Sequence, residues 1–145
     1  MAYKDLQAFM AALEKLGLLK RITVPVSTDL EITEIADRVM KDGGPALLFE
    51  RVKDSPYPLL INTFGSFKRA ALALEVERID DVAGRITSLF DLSSYASLFD
   101  KVKAIPKLAP YAFIFPHTVK RAPCQEVIET EPDLDSLPIL RCWPG

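Results

Sequence analysis

The densest group of side chains able to do chemistry is Glu31, Glu34, Asp37 and Arg38, inside the stretch Thr28 to Glu50, TDLEITEIADRVMKDGGPALLFE. Carboxylates at helical spacing share a face, which suits proton transfer or a hard divalent ion such as Mg or Mn, both of which take oxygen ligands. Glu34 and Arg38, however, stand at i and i+4 in the order that makes a helix-surface ion pair, worth roughly a few tenths of a kcal/mol. No His and no second acidic cluster accompanies them in sequence, so surface pairing is the preferred reading. Gly43-Gly44 has the composition of a phosphate cradle, but it follows a helix, whereas anions are held at helix N-termini, where free N–H groups point outward. His117, in FPHTVK, is of the type that serves as a general base, yet no GxSxG-like nucleophile accompanies it. Cys124 and Cys142 lie 18 positions apart with no CxxC pair, which is not zinc-site spacing. Trp143 and AFIFP at 112–116 read as packing or anchoring groups. From these residues alone the expected catalytic, cofactor-binding and metal sites are none.

The elements that carry these residues are well marked. Thr28 with Glu31 has the capping-box pattern, with Asp29 as a rival cap. Ile32, Ile35, Ala36, Val39 and Met40 recur at helical spacing, so that face is expected to be core. Gly43 can close the helix in a left-handed conformation, and Pro45 cannot continue it, which releases Ala46 to Phe49 as a buried strand. Upstream, Asp5 caps a helix running to about Leu16, with Leu6, Phe9, Met10 and Leu13 on one face and Gly17 as terminator. Leu19 to Val26 alternates, with Ile22, Val24 and Val26 inward, and Pro25 puts it near an edge. Downstream, Leu59 to Phe64 is a short apolar strand and Ser66 caps a helix to about Leu74. Asp80 or Asp81 opens another helix with Val82, Ile86, Leu89 and Phe90 on one face, and Ser94 to Ala104 makes a third. The alternation predicts an α/β fold, a small mixed sheet flanked by helices.

A chain of 145 residues with 49% hydrophobic content can bury one main core. Its net charge of −2 gives no electrostatic case for nucleic acid or an anionic membrane. MAYKDLQAF lacks the features of a signal peptide, and no apolar run reaches the ~18 residues of a membrane span, so a soluble, cytoplasmic protein is expected. After Ile105 the composition changes. Pro106, Pro110, Pro116 and Pro123 interrupt the chain, which predicts an arm over 106–119. Cys124 to Thr130 then reads as a strand, Glu131 to Asp135 as an acidic turn and Leu137 to Cys142 as a further apolar piece. An ending on Leu, Ile, Cys and Trp with nothing left to cover them predicts a fragment of a longer protein.

Several stretches together resemble the N-terminal part of the UbiD-type decarboxylases, which include 3-polyprenyl-4-hydroxybenzoate decarboxylase and menaquinone-pathway decarboxylases. They are DLQAFMAALEKLGLLKRI (Asp5 to Ile22), DLEITEIADR (Asp29 to Arg38), GGPALLFERV (Gly43 to Val52) and INTFGSFKRAALAL (Ile61 to Leu74), with APCQEV (Ala122 to Val127) and LPILRCWPG (Leu137 to Gly145). Their order and spacing make the match specific; Asp91 to Pro116 does not share it. The resemblance implies decarboxylation of aromatic or conjugated acids in ubiquinone or menaquinone biosynthesis, using prenylated flavin mononucleotide, Mn and a monovalent cation. It also implies a homo-oligomeric full-length protein. The family's metal ligands and Glu-Arg-Glu group lie downstream of the CWPG-like stretch, so none maps here, and the chain by itself is expected to be inactive. The implied domains are an α/β domain over 1–105, the Pro-rich arm over 106–119, and the first strand of a truncated split β-barrel flavin domain over 120–145. The competing readings are a stand-alone interaction module, whose arm and Cys-Trp tail dock on a partner, and an enzyme with its site at Glu31, Glu34 and Asp37.

Overall fold

The computed structural model describes residues 3–53, 55–91, 116 and 118–144. The chain divides into two compact units, Met1–Val82 together with Asp133–Gly145, and Ala83–Pro132.

In the first unit the local signals act as expected at both ends of α1 (Leu6–Lys15). The Asp5 carboxylate accepts the amide of Ala8 at 2.8 Å, and Gly17 turns the chain at φ +67°. Three strands follow: β1 (Leu19–Ile22), β2 (Ala46–Phe49) and β3 (Leu59–Ile61), in the order β1-β2-β3. β2 runs parallel to β1, with Leu19 opposite Ala46, and antiparallel to β3, with Leu48 opposite Leu60. The sheet is mixed, and every residue of its central strand is buried. Because strand side chains alternate, β2 feeds two cores. Ala46 and Leu48 join Phe9, Met10 and Leu13 of α1, with Leu72 and Ala73 of α3 (Phe67–Ala73) packed alongside. Leu47 and Phe49 face the other way, onto Ile32, Ile35 and Val39 of α2 (Glu31–Lys41) and onto Leu140. A small sheet between helices is the α/β arrangement the sequence predicts.

Several boundaries differ from expectation, each for a local reason. β1 stops at Ile22. Val24 is 61% exposed, and pairing resumes only past Pro25, where Val26 makes a parallel bridge to Val52. β3 stops at Ile61 because Asn62 takes φ +62°; Phe64, expected in the strand, instead stacks on Phe9 with ring centroids 6.1 Å apart. Met40 is 48% exposed. At 3.6 residues per turn it stands about 80° round the helix from Ile32, outside the stripe that reaches the sheet. Ser66 caps α3 as predicted, its hydroxyl accepting the amide of Arg69. α4 (Asp80–Asp91) opens with Asp81 accepting the amide of Arg78 at 2.9 Å.

In the second unit the described residues beyond α4 are irregular. Cys124 to Thr130 is not a strand: Pro123–Gln125 forms a single 3₁₀ turn, and Val127 and Ile128 are exposed. Pro123 supplies the fixed φ that starts the turn and has no N–H for a ladder. The helix expected over Ser94 to Ala104, most of the Pro-rich arm and His117 lie outside the described residues.

Candidate functional site

The acidic helix and the Cys-Trp tail, far apart in sequence, meet in space. Residues 133–144 lie along the first unit, and Arg141 pairs with Asp29 in a parallel bridge. The Arg141 amide donates to the Thr28 carbonyl at 3.1 Å, and the Arg141 carbonyl accepts from the Leu30 amide at 3.3 Å and the Thr33 hydroxyl at 3.2 Å. The Arg141 guanidinium reaches the Asp29 carboxylate at 3.2 Å. Farther back, the Ser55 hydroxyl donates to the Ser136 carbonyl at 2.7 Å. Beside this seam lies a groove of about 630 Å³ lined by Leu30, Thr33, Glu34, Asp37 and Lys41 of the α2 region and by Cys142, Trp143 and Pro144.

The start of α2 is built differently from the predicted capping box. The residue before the helix is Leu30, at φ +66° and ψ −31°, with no side-chain cap. The Glu31 amide donates to the Asp29 carbonyl at 2.8 Å across it, which makes Leu30 the centre of a γ-turn of the rare positive-φ kind. The Glu31 carboxylate does reach back, but to the amide of Ser27 at 2.7 Å rather than that of Thr28, and it also meets Lys53 at 3.3 Å. The amide bond and then the lysine hold its carboxyl below the usual range. Asp29 is no cap, being committed to Arg141.

The other acidic residues are likewise paired. Glu34 meets Arg38 at 2.5 Å and Asp37 meets Lys41 at 2.6 Å, both one helical turn apart. These carboxylates are ion-pair partners on a solvated face, as the i, i+4 spacing predicts. Cys124 and Cys142 are both free and exposed, and Trp143 is 82% exposed. Among the described residues no group of three His, Cys, Asp or Glu converges as a metal set would.

Gly43-Gly44-Pro45 is tied to a second diagnostic stretch, and sequence reading missed how. Arg69, on the alanine-rich helix α3, is only 2% exposed, and its guanidinium donates to the Gly44 carbonyl at 2.8 Å. The Asn62 amide donates to the next carbonyl, that of Pro45, at 3.3 Å. Two side chains of INTFGSFKR thus hold the turn that launches β2. Gly65 makes room for them: a Cβ there would fall 1.6 Å from the Asn62 Oδ1 and 3.1 Å from an Arg69 nitrogen. Nε and one terminal nitrogen of Arg69, and the Asn62 oxygen, are buried without a hydrogen-bond partner among the described residues, and burial pushes the Arg69 pKa down. The available signal was an arginine four residues after a glycine in an alanine-rich helix. Gly43, at φ +67°, closes α2.

The 3-octaprenyl-4-hydroxybenzoate carboxy-lyase N-terminal domain profile matches residues 10–89, the span that holds the sheet, the Gly-Gly-Pro turn and its arginine clamp. The chain belongs to this family. An uncharacterized protein of Archaeoglobus fulgidus is 42% identical over 144 residues, covering 99% of this chain and 29% of its own length. Among solved structures, the vanillic acid decarboxylase of Sedimentibacter hydroxybenzoicus in its closed form is similar over 98% of this chain and 28% of its own, at 26% identity and a TM-score of 0.68. An evolved dimeric form of the UbiD-class enzyme HmfF from Pelotomaculum thermopropionicum, in complex with prFMN, is 34% identical over 51% of this chain and 17% of its own, with a TM-score of 0.47. The UbiD N-terminal domain seen here therefore spans less than a third of the relatives it matches. Among its described residues, no helix is long and apolar enough to cross a membrane.

Proposed function

We propose that this chain is the N-terminal α/β domain of a prenylated-FMN-dependent decarboxylase acting on aromatic or conjugated carboxylic acids in ubiquinone or menaquinone biosynthesis. The observation that carries this reading is the family match over residues 10–89, supported by the likeness of 98% of the chain to a vanillic acid decarboxylase. The proposed division is an α/β domain over 1–105, a linking arm over 106–119 and the start of the flavin domain over 120–145. Prenylated FMN, Mn and a monovalent cation are assigned to the full-length protein, which we take to be a cytoplasmic homo-oligomer. In this reading the 145 residues alone hold no flavin and do not turn over, and serve as scaffold and contact surface.

The test compares the 145-residue chain with the full reading frame that contains it, both produced together with a prenylated-FMN synthase. Flavin absorbance, bound metal and release of carbon dioxide from aromatic acids are measured on each. Activity in the full frame and none in the short chain supports the reading. Flavin-dependent carbon dioxide release by the short chain alone overturns its inactive half. A full frame that binds no flavin overturns the decarboxylase assignment and favours an interaction module.

A further inference from the structure

The γ-turn at Leu30 and the segment lying over it are mutually dependent. A non-glycine residue at positive φ in a γ-turn is strained, and such strain persists only where the surroundings over-determine it. Within residues 27–34 the turn is closed by the Glu31-to-Asp29, Leu30-to-Thr28 and Ile32-to-Ser27 backbone bonds, with the Ser27 hydroxyl accepting the Asp29 amide and the Glu31 carboxylate accepting the Ser27 amide. The one long-range backbone restraint on this turn, among the described residues, comes from Arg141, 111 positions on. Its amide and carbonyl bracket Leu30 through Thr28 and the Leu30 N–H, its carbonyl takes the Thr33 hydroxyl, and its guanidinium meets Asp29. Leu140, beside it, packs against the α2-side core. Both Arg141 and Asp29 are more than half exposed at their side chains, so the clasp sits at the surface and is weakened by salt. Neither the family match, which ends at residue 89, nor the decarboxylase reading bears on this.

We propose that residues 137–143 form a releasable strap, and that strap docking and the strained Leu30 turn are a single two-state element with Arg141 as its clasp. When the strap is docked, the first turn of α2 is held in the γ-turn geometry. When it lifts, Leu30 relaxes to negative φ, and the amides of residues 27–34 lose protection together with those of the strap. The device gives the segment bearing Cys142 and Trp143 a direct effect on the start of α2.

Hydrogen–deuterium exchange on the 145-residue chain tests this, with peptides covering 27–34, 137–143 and the β2 strand as internal reference. Asp29→Asn removes only the charge pair and leaves the core untouched. It is expected to speed exchange in both 27–34 and 137–143 by about two- to five-fold, the range for an exposed ion pair, and raising the salt concentration should do the same to the parent chain. Arg141→Pro deletes the guanidinium and the N–H to Thr28 together, and should speed exchange in both segments by about ten-fold or more while β2 stays protected. Faster exchange in 137–143 with 27–34 unchanged, in either variant, would overturn the proposal, as would an Asp29→Asn chain indistinguishable from the parent. Loss of protection in β2 as well would also overturn it, since the element would then not be separable from the global fold.

Discussion

Arg69 and Gly44 are joined by a 2.8 Å hydrogen bond from a guanidinium that is almost wholly out of water to the carbonyl preceding Pro45. Through it, helix α3 fixes the turn from which the fully buried central strand begins. A buried charge with a backbone carbonyl as its partner stabilises position at a desolvation cost.

Shortening that side chain should therefore be costly, and replacing it with an apolar one of similar length less so. Arg69→Ala leaves the Gly44 carbonyl unpaired and opens a cavity, for an expected loss of about 3 kcal/mol or more. Arg69→Met fills the space and removes the buried charge, and should lose less than half as much. Urea unfolding of the two variants measures the difference; equal losses would mean that the hydrogen bond to the Gly44 carbonyl, which both variants lack, outweighs the packing.

Gly65 and Asn62 should behave as a coupled pair. A methyl group at 65 has no room while the Asn62 side chain is in place, so Gly65→Ala is expected to cost about 1–3 kcal/mol. Asn62→Gly suits the local φ of +62° and vacates the space. In that background Gly65→Ala should cost at least about 1 kcal/mol less, a non-additivity read from a double-mutant cycle.

The two sides of α2 should differ sharply. Ile35 packs against the core that holds Leu47 and Phe49, so Ile35→Asp places an unpaired charge there and should destabilise by several kcal/mol or unfold the unit. Glu34→Ala removes an exposed ion pair and should change stability by less than about 0.5 kcal/mol. Thermal melts of the two variants give the comparison, and equal melting temperatures would show the core face to be misplaced.

Acid should act through Glu31 and Glu14. Both carboxyls are held below the ordinary value of 4.5, Glu31 by the Ser27 amide and then Lys53, Glu14 by its bond to Arg21. A depressed carboxyl pKa in the folded state means stability present above the unfolded value and lost as pH falls through the folded one. The melting temperature should accordingly decline below about pH 4.5. In Glu31→Gln, whose amide oxygen can still accept from Ser27, the decline between pH 4.5 and 3 should be shallower. A slope identical to that of the parent would remove Glu31 from the acid response.

What was legible in the sequence was whatever is written locally. Asp5, Gly17, Ser66 and Gly43 each act within a few residues of themselves, and Ala46 to Phe49 is apolar on both faces because both faces are covered. Some misread features depend on distant chain. The Glu31 carboxylate was assigned to Thr28 because a capping box is a local motif, whereas the geometry at Leu30 involves Arg141, which no periodicity connects to it. Met40 and Val24 followed the apolar pattern but overshot the sheet. Arg69 was not singled out in the sequence, because nothing short of the folded turn shows that Gly44 is beside it. The Glu34–Arg38 pair was read correctly from i, i+4 spacing alone; the Asp37–Lys41 pair of the same spacing, and the groove these carboxylates share with Trp143, were not.

The pairing of Arg141 with Asp29 also carries a consequence for the order of events during synthesis. The ladders joining β1 to β2 and β2 to β3 connect residues within the first 61 positions, so that sheet can assemble while later residues are still being added at roughly 5–20 per second. The strap closes a loop of more than a hundred residues, and such long-range closure is slow relative to local pairing. Until position 141 has left the ribosome, Leu30 is free of that tether. A nascent chain stalled before that point should carry a formed sheet and a relaxed α2 start, so the seam is laid onto a scaffold that already exists.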